Sequence, residues 1–323
     1  RSIMLGLGTA VNRGGFVSGA APAAKLLDTY SSAAAAYSLR KLSNSYSGPV
    51  LQIRRASDNV EVDVSFDTNG VVSLNSRITN VTEETTGSST SLTTSATTLG
   101  EFVANASYTD ADGLGATDSA LIQCWYDQSG NSNDSTQNTA SAQPTIVSSG
   151  ALIEENGKPV INFNEDHLLS SAWMTQLSPM SFSLVQVPAN VGREVLIGVN
   201  TATPYTTAFI NWNSGTDFLY PRFFSFPASD TYSSAMTEDE MNLVFAHSST
   251  TSTSFYLNGS EDSNSPKSHS KTSAADGAIT IGSPTTYNPI RGTSLVEIVF
   301  WLSDQSSNRT AIETDINTFY SIY

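Results

Sequence analysis

Between Pro159 and Leu302 one pattern repeats, a short apolar run closed by polar turn residues, and this repetition constrains the fold more than any single motif. Runs at 160–163, 182–187, 195–199, 208–212, 218–226, 243–247, 255–257, 278–282 and 295–302 all suit strands of ordinary length. Asn258-Gly259, directly after the 255–257 run, is a hairpin turn, and Gly259 and Gly282 read as turn or strand-end residues rather than phosphate-loop residues. Earlier in the chain Val60, Val62, Val64 and Phe66 alternate with Glu61, Asp63 and Ser65, so that strand should bury one face. A partner strand with Leu51 and Ile53 joins it through a turn at 57–59. Serial short strands, without the long intervening helices of a doubly wound nucleotide fold, predict an all-β antiparallel sandwich.

The ends depart from this pattern. Residues 1–24 are rich in Gly and Ala and read as an N-terminal arm or connector; 25–323 then form the sandwich body. The arm's Ile3, Met4, Leu5, Leu7, Val11 and Phe16 call for cover from a partner or from the body. Residues 32–44 predict a short N-terminal helix with Ala36, Leu39 and Leu42 on one face, ended by Gly48-Pro49. Residues 82–98, dominated by Ser and Thr, predict a surface excursion within the body. After Ser303 or Asp304, either of which can cap a helix, Ala311, Ile312, Asp315, Ile316, Phe319 and Tyr320 predict a C-terminal helix closing one edge of the sandwich.

Charge and cysteine count exclude several function classes. With 30 acidic and 15 basic residues the formal charge is −15, which repels phosphate polyanions, so no nucleic-acid partner is expected. One cysteine, Cys124, rules out an intrachain disulfide framework and a four-cysteine zinc site; beside Trp125 it reads as a core residue. No apolar run approaches membrane-spanning length, so no membrane insertion is expected, and no basic segment followed by a long apolar one marks a secretion leader. His167, His247 and His269 lie too far apart to form a metal-ligand motif.

The stretch from Cys124 to Asp134 ends an apolar run and opens a polar turn at Gly130. Two readings of it stand. Asp127, Asn131, Asn133 and Asp134 can place oxygens around a hard cation, with calcium as the optional cofactor. The same side chains can instead hold the turn by bonding its backbone. Farther on, Trp212 between Asn211 and Asn213, with Tyr220 and Arg222 downstream, offers an aromatic platform and hydrogen-bonding groups for a surface glycan; the nearby Phe223, Phe224 and Phe226 equally suit a sandwich core.

Residues 122–133, IQCWYDQSGNSN, together with AYSLR at 36–40 and YSGPVLQIRRASD at 46–58, resemble the catalytic-domain family of α-L-arabinofuranosidase B. The resemblance covers roughly the first half of the chain. It implies the concanavalin A-like, jelly-roll form of the sandwich, and the second half separately resembles laminin-G-like domains of the same architecture. The whole arrangement, including LGLGTAVNRGGF at 5–16, also resembles structural proteins of tailed marine bacteriophages. That second resemblance implies a virion structural or decoration protein displayed from capsid or tail, extracellular once the particle is released, whose partners are other virion proteins or identical subunits.

The alternatives are a glycoside hydrolase of arabinofuranosidase type and a free carbohydrate-binding protein. Hydrolysis needs an acid and a second carboxylate across the scissile bond. Glu165-Asp166, Glu194 and Glu297 are available, but no convincing pair stands out. The paired-cysteine segment beside the enzyme family's nucleophile has no counterpart, because Cys124 stands alone. The expected function is therefore structural or glycan-binding, without an assigned catalytic residue.

Overall fold

A computed structural model describes residues 22–82, 96–104, 118–174, 179–189, 193–199, 208–213, 217–222, 235–249, 251–268, 277–282 and 290–323, with the side chains of 82, 193–195, 199, 208–213 and 217–222 excepted. Most of the arm and of the 82–98 excursion lies outside these residues, as do Phe223, Phe224, Phe226 and His269. In chain order the structure opens with a one-turn helix α1 (Leu26–Thr29) and strands β1 (Ala35–Ser38), β2 (Leu51–Arg55), β3 (Glu61–Val64) and β4 (Ile78–Thr82). Helix α2 (Leu99–Ala104) precedes β5 (Ala120–Trp125), β6 (Ser135–Thr136), β7 (Thr145–Ser148), β8 (Ile161–Asn164) and β9 (His167–Met174). Then come β10 (Met180–Val187), β11 (Arg193–Val199), β12 (Ala208–Asn213) and β13 (Asp217–Arg222). The chain closes with β14 (Asn242–Ser248), β15 (Ser252–Leu257), β16 (Gly277–Gly282), β17 (Arg291–Trp301) and helix α3 (Arg309–Tyr320).

The described strand pairings are antiparallel and form two leaves. In the first, β1 and β8 lie along one side of β17, and β10, β14 and β15 follow on its other side. The second runs β4, β3, β2, β5, β6, β9, β16, β11, β12, β13. Strand β7 pairs with both β5 and β8, so the hydrogen-bond ladder turns a corner there and the leaves face each other. Between them Tyr37 meets Trp125 at 5.8 Å and Trp173 meets Phe300 at 5.4 Å, ring centre to ring centre. Leu51, Ile53, Val62, Val64, Ile122, Phe182, Leu184, Ile281, Ile298 and Phe300 fill the rest of this core. The all-β antiparallel sandwich is thus observed. So are the 57–59 hairpin and the Asn258-Gly259 turn, whose φ values of 48° and 79° are the paired left-handed conformations of a tight hairpin.

Helix α3 covers the outer face of the first leaf instead of closing an edge. Ile312, Ile316 and Tyr320 form a second core with Val185, Leu243, Phe245, Val296, Val299 and Trp301. A register slip between Val185 and Gln186 opposite β17 puts Leu295 into the sandwich core and its neighbour Val296 under the helix. Glu297, just before the slip on the helix-covered face, is fully buried and accepts bonds from Ser38 Oγ (2.8 Å), Arg40 Nε (2.7 Å) and the Tyr320 hydroxyl (3.1 Å). Removing one partner of such a pair would leave the other charge buried and uncompensated. Neither Ser303 nor Asp304 caps the helix: Asp304 Oδ1 accepts Ser306 N at 2.8 Å just ahead of a 3-10 turn whose N-cap is Gln305, and Asn308 is the N-cap of α3. On the helix itself Ala311 is exposed, and Glu313 is buried in its place.

The helix expected over 32–44 is a strand. Ala35–Ser38 pairs with Phe300–Glu297, and the four residues are buried on both faces, inward against the sandwich core and outward beneath α3. The apolar run AAAAY therefore shows no period-2 alternation, and a short unbroken run of this kind cannot be told from a helix by periodicity. The short N-terminal helix lies just upstream, as α1.

Candidate functional site

After β1 the chain crosses one end of the sandwich, and after β3 a second loop rises beside it. The two are strapped together by Lys41 N to Gly70 O (2.8 Å) and Val72 N to Leu39 O (2.9 Å). Between them opens a cleft of about 390 Å³, whose lining includes Lys25, Lys41, Asn44, Tyr46, Phe66 and Asn69. Tyr46 and Phe66 meet edge to face at 6.4 Å. The Tyr46 hydroxyl donates to Pro49 O at 2.6 Å. Gly48 lies close beneath it, and a Cβ there would stand 2.8 Å from that hydroxyl oxygen, so the ring would have to shift. Gly70, at φ 76°, forms another part of the wall, with the Lys25 ammonium 3.8 Å from where its Cβ would be.

The carboxylates around the cleft are already engaged. Asp67, which lines it, accepts Asn69 N (2.8 Å) and Val71 N (3.1 Å) on one oxygen and Ser73 Oγ (3.0 Å) on the other. Asp28 accepts Ser43 Oγ (2.7 Å) and Asn44 N (3.0 Å) on Oδ1, and Asn44 Nδ2 (2.7 Å) and Lys25 N (3.0 Å) on Oδ2. Burial works against the Asp28 charge, but these bonds outweigh it and hold the carboxyl below its usual range. Lys25 and Lys41 form no ion pair among the described residues.

Solved structures share this architecture. An arabinofuranosidase complexed with arabinofuranosyl-α-1,2-xylobiose superposes with a TM-score of 0.57 at 15% sequence identity, over 89% of this chain and 63% of that one. A mutant of a GH54 α-L-arabinofuranosidase soaked with 4-nitrophenyl α-L-arabinofuranoside gives 0.59 at 15% identity over the same shares. What is shared is the fold. The chain spans 63% of the length of those proteins. No protein-family model matches the chain, and no curated protein matches it in sequence.

The Asp127 turn brings its four expected residues together, as hydrogen-bonding groups. Asp127 Oδ1 accepts Ala36 N and Ser129 N, both at 2.8 Å; Oδ2 accepts Ser129 Oγ at 2.7 Å and Asn133 N at 3.0 Å. Those donors occupy the roughly four lone-pair positions of a carboxylate. Asn131 and Asn133 turn their amide nitrogens to Ala33 O and Ala34 O, both at 2.8 Å, and Asp134 Oδ1 accepts Asp127 N at 2.8 Å. The four residues are thus tied by hydrogen bonds to their own turn and to the segment leading into β1. Among the described residues no group of three or more His, Cys, Asp or Glu is placed to hold a metal ion. Asp134 is raised above its usual range, chiefly by burial and further by the Asp127 charge, against the bond from Asp127 N.

The proposed glycan platform falls on the hairpin of β12 and β13, whose side chains lie outside the described residues. Trp212 stands opposite Phe218 and Ile210 opposite Tyr220, so Trp212, Tyr220 and Arg222 hold register positions of one parity and Asn211 and Asn213 of the other. The suggested acids separate. Glu297 is buried against Arg40, which removes it from any groove. Glu165 lies 3.6 Å from Arg291 on the surface, and Glu194 falls on β11 with an undescribed side chain. Burial pushes Asp166 up to about 6, against a bond from Asn164 N and with help from the Glu165 charge. Cys124 is buried, and burial raises its thiol, which disfavours a nucleophilic thiolate.

A Ser-His-Asp trio also arises, with Ser181 Oγ 3.2 Å and Asp304 Oδ1 3.4 Å from His247. Both contacts use the same ring nitrogen, Nδ1, and Ser181 is fully buried beneath Gln305 N, so the trio lacks the relay geometry of a catalytic triad. Sequence reasoning missed the cleft residues. Their signals were Asp67-Thr68-Asn69-Gly70, a turn-forming run directly after the alternating strand, and the Tyr46-Ser47-Gly48-Pro49 segment, noted only for its resemblance and as a helix stop.

Proposed function

We propose that this protein is a carbohydrate-binding β-sandwich and that the cleft beside Tyr46 is its binding site. The observation that carries this reading is the cleft, which the rings of Tyr46 and Phe66 line together with Asn44, Asn69, Lys25 and Lys41. Such a mixture suits a sugar, whose ring faces stack on aromatics while its hydroxyls take directed hydrogen bonds. Solved structures of the same fold whose names specify arabinofuranosides lend support from architecture alone. Hydrolysis would need two free carboxylates about the bound sugar. Asp67 already engages both oxygens in its own turn, which favours binding without turnover.

Calorimetric titration against neutral and acidic oligosaccharides, with product analysis of the same mixtures, tests the proposal. Tyr46→Ala should weaken binding by about ten-fold or more, while Tyr46→Phe, which keeps the ring, should bind nearly as the parent does. Equal binding by parent and Tyr46→Ala would reject the cleft as the site. Reproducible hydrolysis abolished by neutralising one carboxylate would replace the binding reading with the hydrolase one.

The setting we propose is display from a virion, with residues 1–24 as the connector to other virion proteins or to identical subunits. Its support is the sequence resemblance to tailed-phage structural proteins. Deleting 1–24 should reduce incorporation into particles and leave the sandwich folded; equal incorporation would reject the connector.

A further inference from the structure

We infer that the cleft selects an anionic sugar, one bearing a carboxylate or a sulfate ester, through the ammonium groups of Lys25 and Lys41. This inference rests on the carbohydrate reading of the cleft and specifies the class of ligand. Both lysines line the cleft, half-buried, and neither forms an ion pair among the described residues. On a chain with twice as many acidic as basic residues, acidic partners are plentiful, so two ammonium groups on one cleft wall with no ion pair among the described residues call for an explanation.

Local geometry keeps the two lysines on that wall. Lys41 is fixed by its backbone bond to Gly70 O, and Lys25 by its backbone bond to the Asp28 carboxylate. Gly70 supplies the room. A side chain there would begin 3.5 Å from Lys41 Cβ and 3.8 Å from Lys25 Nζ, within the space that an approaching anion needs. The neighbouring carboxylates do not cancel this arrangement as hydrogen-bonding partners. Asp28 receives its donors from 25–44 and Asp67 from its own turn, and among the described residues neither carboxylate takes a bond from the two ammonium groups. A ligand with one negative group would gain charge-assisted bonds that a neutral sugar lacks.

The same charge balance argues for a sugar of low charge density over a polyanion. At physiological salt the Debye length is about 8 Å, so a single anionic group in the cleft responds mainly to charges close to it. A long polyanion lying across the surface would meet the repulsion of the whole acidic body.

The test uses the full chain and matched oligosaccharides of equal length: galactan fragments ending in one galacturonate with their methyl esters, and singly sulfated galactan fragments with their desulfated counterparts. Parent protein should bind at least one acidic series about ten-fold more tightly than its neutral match, with the preference shrinking as salt rises. The series showing the preference distinguishes carboxylate from sulfate. In the Lys25→Gln, Lys41→Gln double variant the ratio of acidic to neutral affinity should fall to about one. Tyr46→Ala should instead weaken both classes alike. Neutral sugars bound as tightly as acidic ones, or a preference that survives the double variant, would overturn the inference and leave the carbohydrate reading standing. Failure of every series to bind the parent would overturn the carbohydrate reading and this inference with it.

Discussion

The Asp127 turn and the Tyr46 cleft are built from similar residues, Asp, Asn, Ser and Tyr around a glycine, yet they do opposite things with their polar groups. In the turn the donors and acceptors face inward onto one another. Asp127 holds four donors, one of them Ala36 N on β1, and Asn131 and Asn133 bond the carbonyls just before that strand. At the cleft the carboxylates are engaged in the same manner, but the lysines and the aromatic walls face open space. The difference teaches that a cluster of polar residues marks a binding site only where some of its groups are left unengaged. A polar group satisfied by its own chain has little to offer a ligand.

The largest expected effect belongs to the turn. Asp127→Ala strips an acceptor from three backbone N–H groups and one hydroxyl, and Asp127 itself is only 4% exposed. Leaving several buried donors unpaired should cost about 3–4 kcal/mol, within the range reserved for broken buried networks. Urea unfolding of parent and variant measures the loss directly. Calcium and chelator should leave the parent's midpoint unchanged. A calcium-dependent rise in the parent that is absent from the variant would establish the metal reading and dissolve the contrast with the cleft.

The sequence made the fold legible wherever one face of a strand meets polar surroundings or a turn has its own chemistry. Val60, Val62 and Val64 against Glu61, Asp63 and Ser65 showed a strand because the two sides of β3 differ in chemistry. Legibility failed where both faces are covered. β1 lies between the sandwich core and α3, so Ala35, Ala36 and Tyr37 are all buried and the alternation disappears. The Asp127 turn stood out because its residues are contiguous. The cleft did not, because its walls come from 25–48 and 65–70, and only the pairing of β2 with β3, together with the Lys41–Gly70 bond, brings them together.

Asp166 is an intermediate case that sharpens the contrast, a carboxylate partly buried yet supported mainly by Asn164 N at 2.9 Å. Its folded value of about 6 lies above the ordinary 3.8, so between those two pH values the folded chain holds the proton more tightly than the unfolded chain does. Stability from this group is present below the unfolded value and lost as pH rises through about 6. Asp166→Asn keeps an acceptor for Asn164 N and cannot ionise. It should stabilise the protein at neutral pH by about 1 kcal/mol, a figure reduced for solvent screening at a half-exposed site. Thermal melts of both proteins from about pH 4 to 7 should converge at the acid end and separate toward neutrality. Parallel curves would show that Asp166 is as well supported as Asp127.

The smallest expected effect is on the cleft side of the comparison, where the stability of the Lys25→Gln, Lys41→Gln double variant should stay within about 0.5 kcal/mol of the parent. Both side chains are half-buried, and neither forms an ion pair among the described residues. The bonds that fix their positions, Lys25 N to Asp28 and Lys41 N to Gly70 O, come from the backbone and survive the substitution. Glutamine also preserves most of the aliphatic stem, so packing against the loop is largely kept. The contrast with Asp127→Ala is therefore a contrast between groups that hold the chain together and groups that it leaves unengaged. A loss of more than about 1 kcal/mol in the double variant would mean that the lysines serve the scaffold after all, making the cleft a second self-satisfied polar cluster.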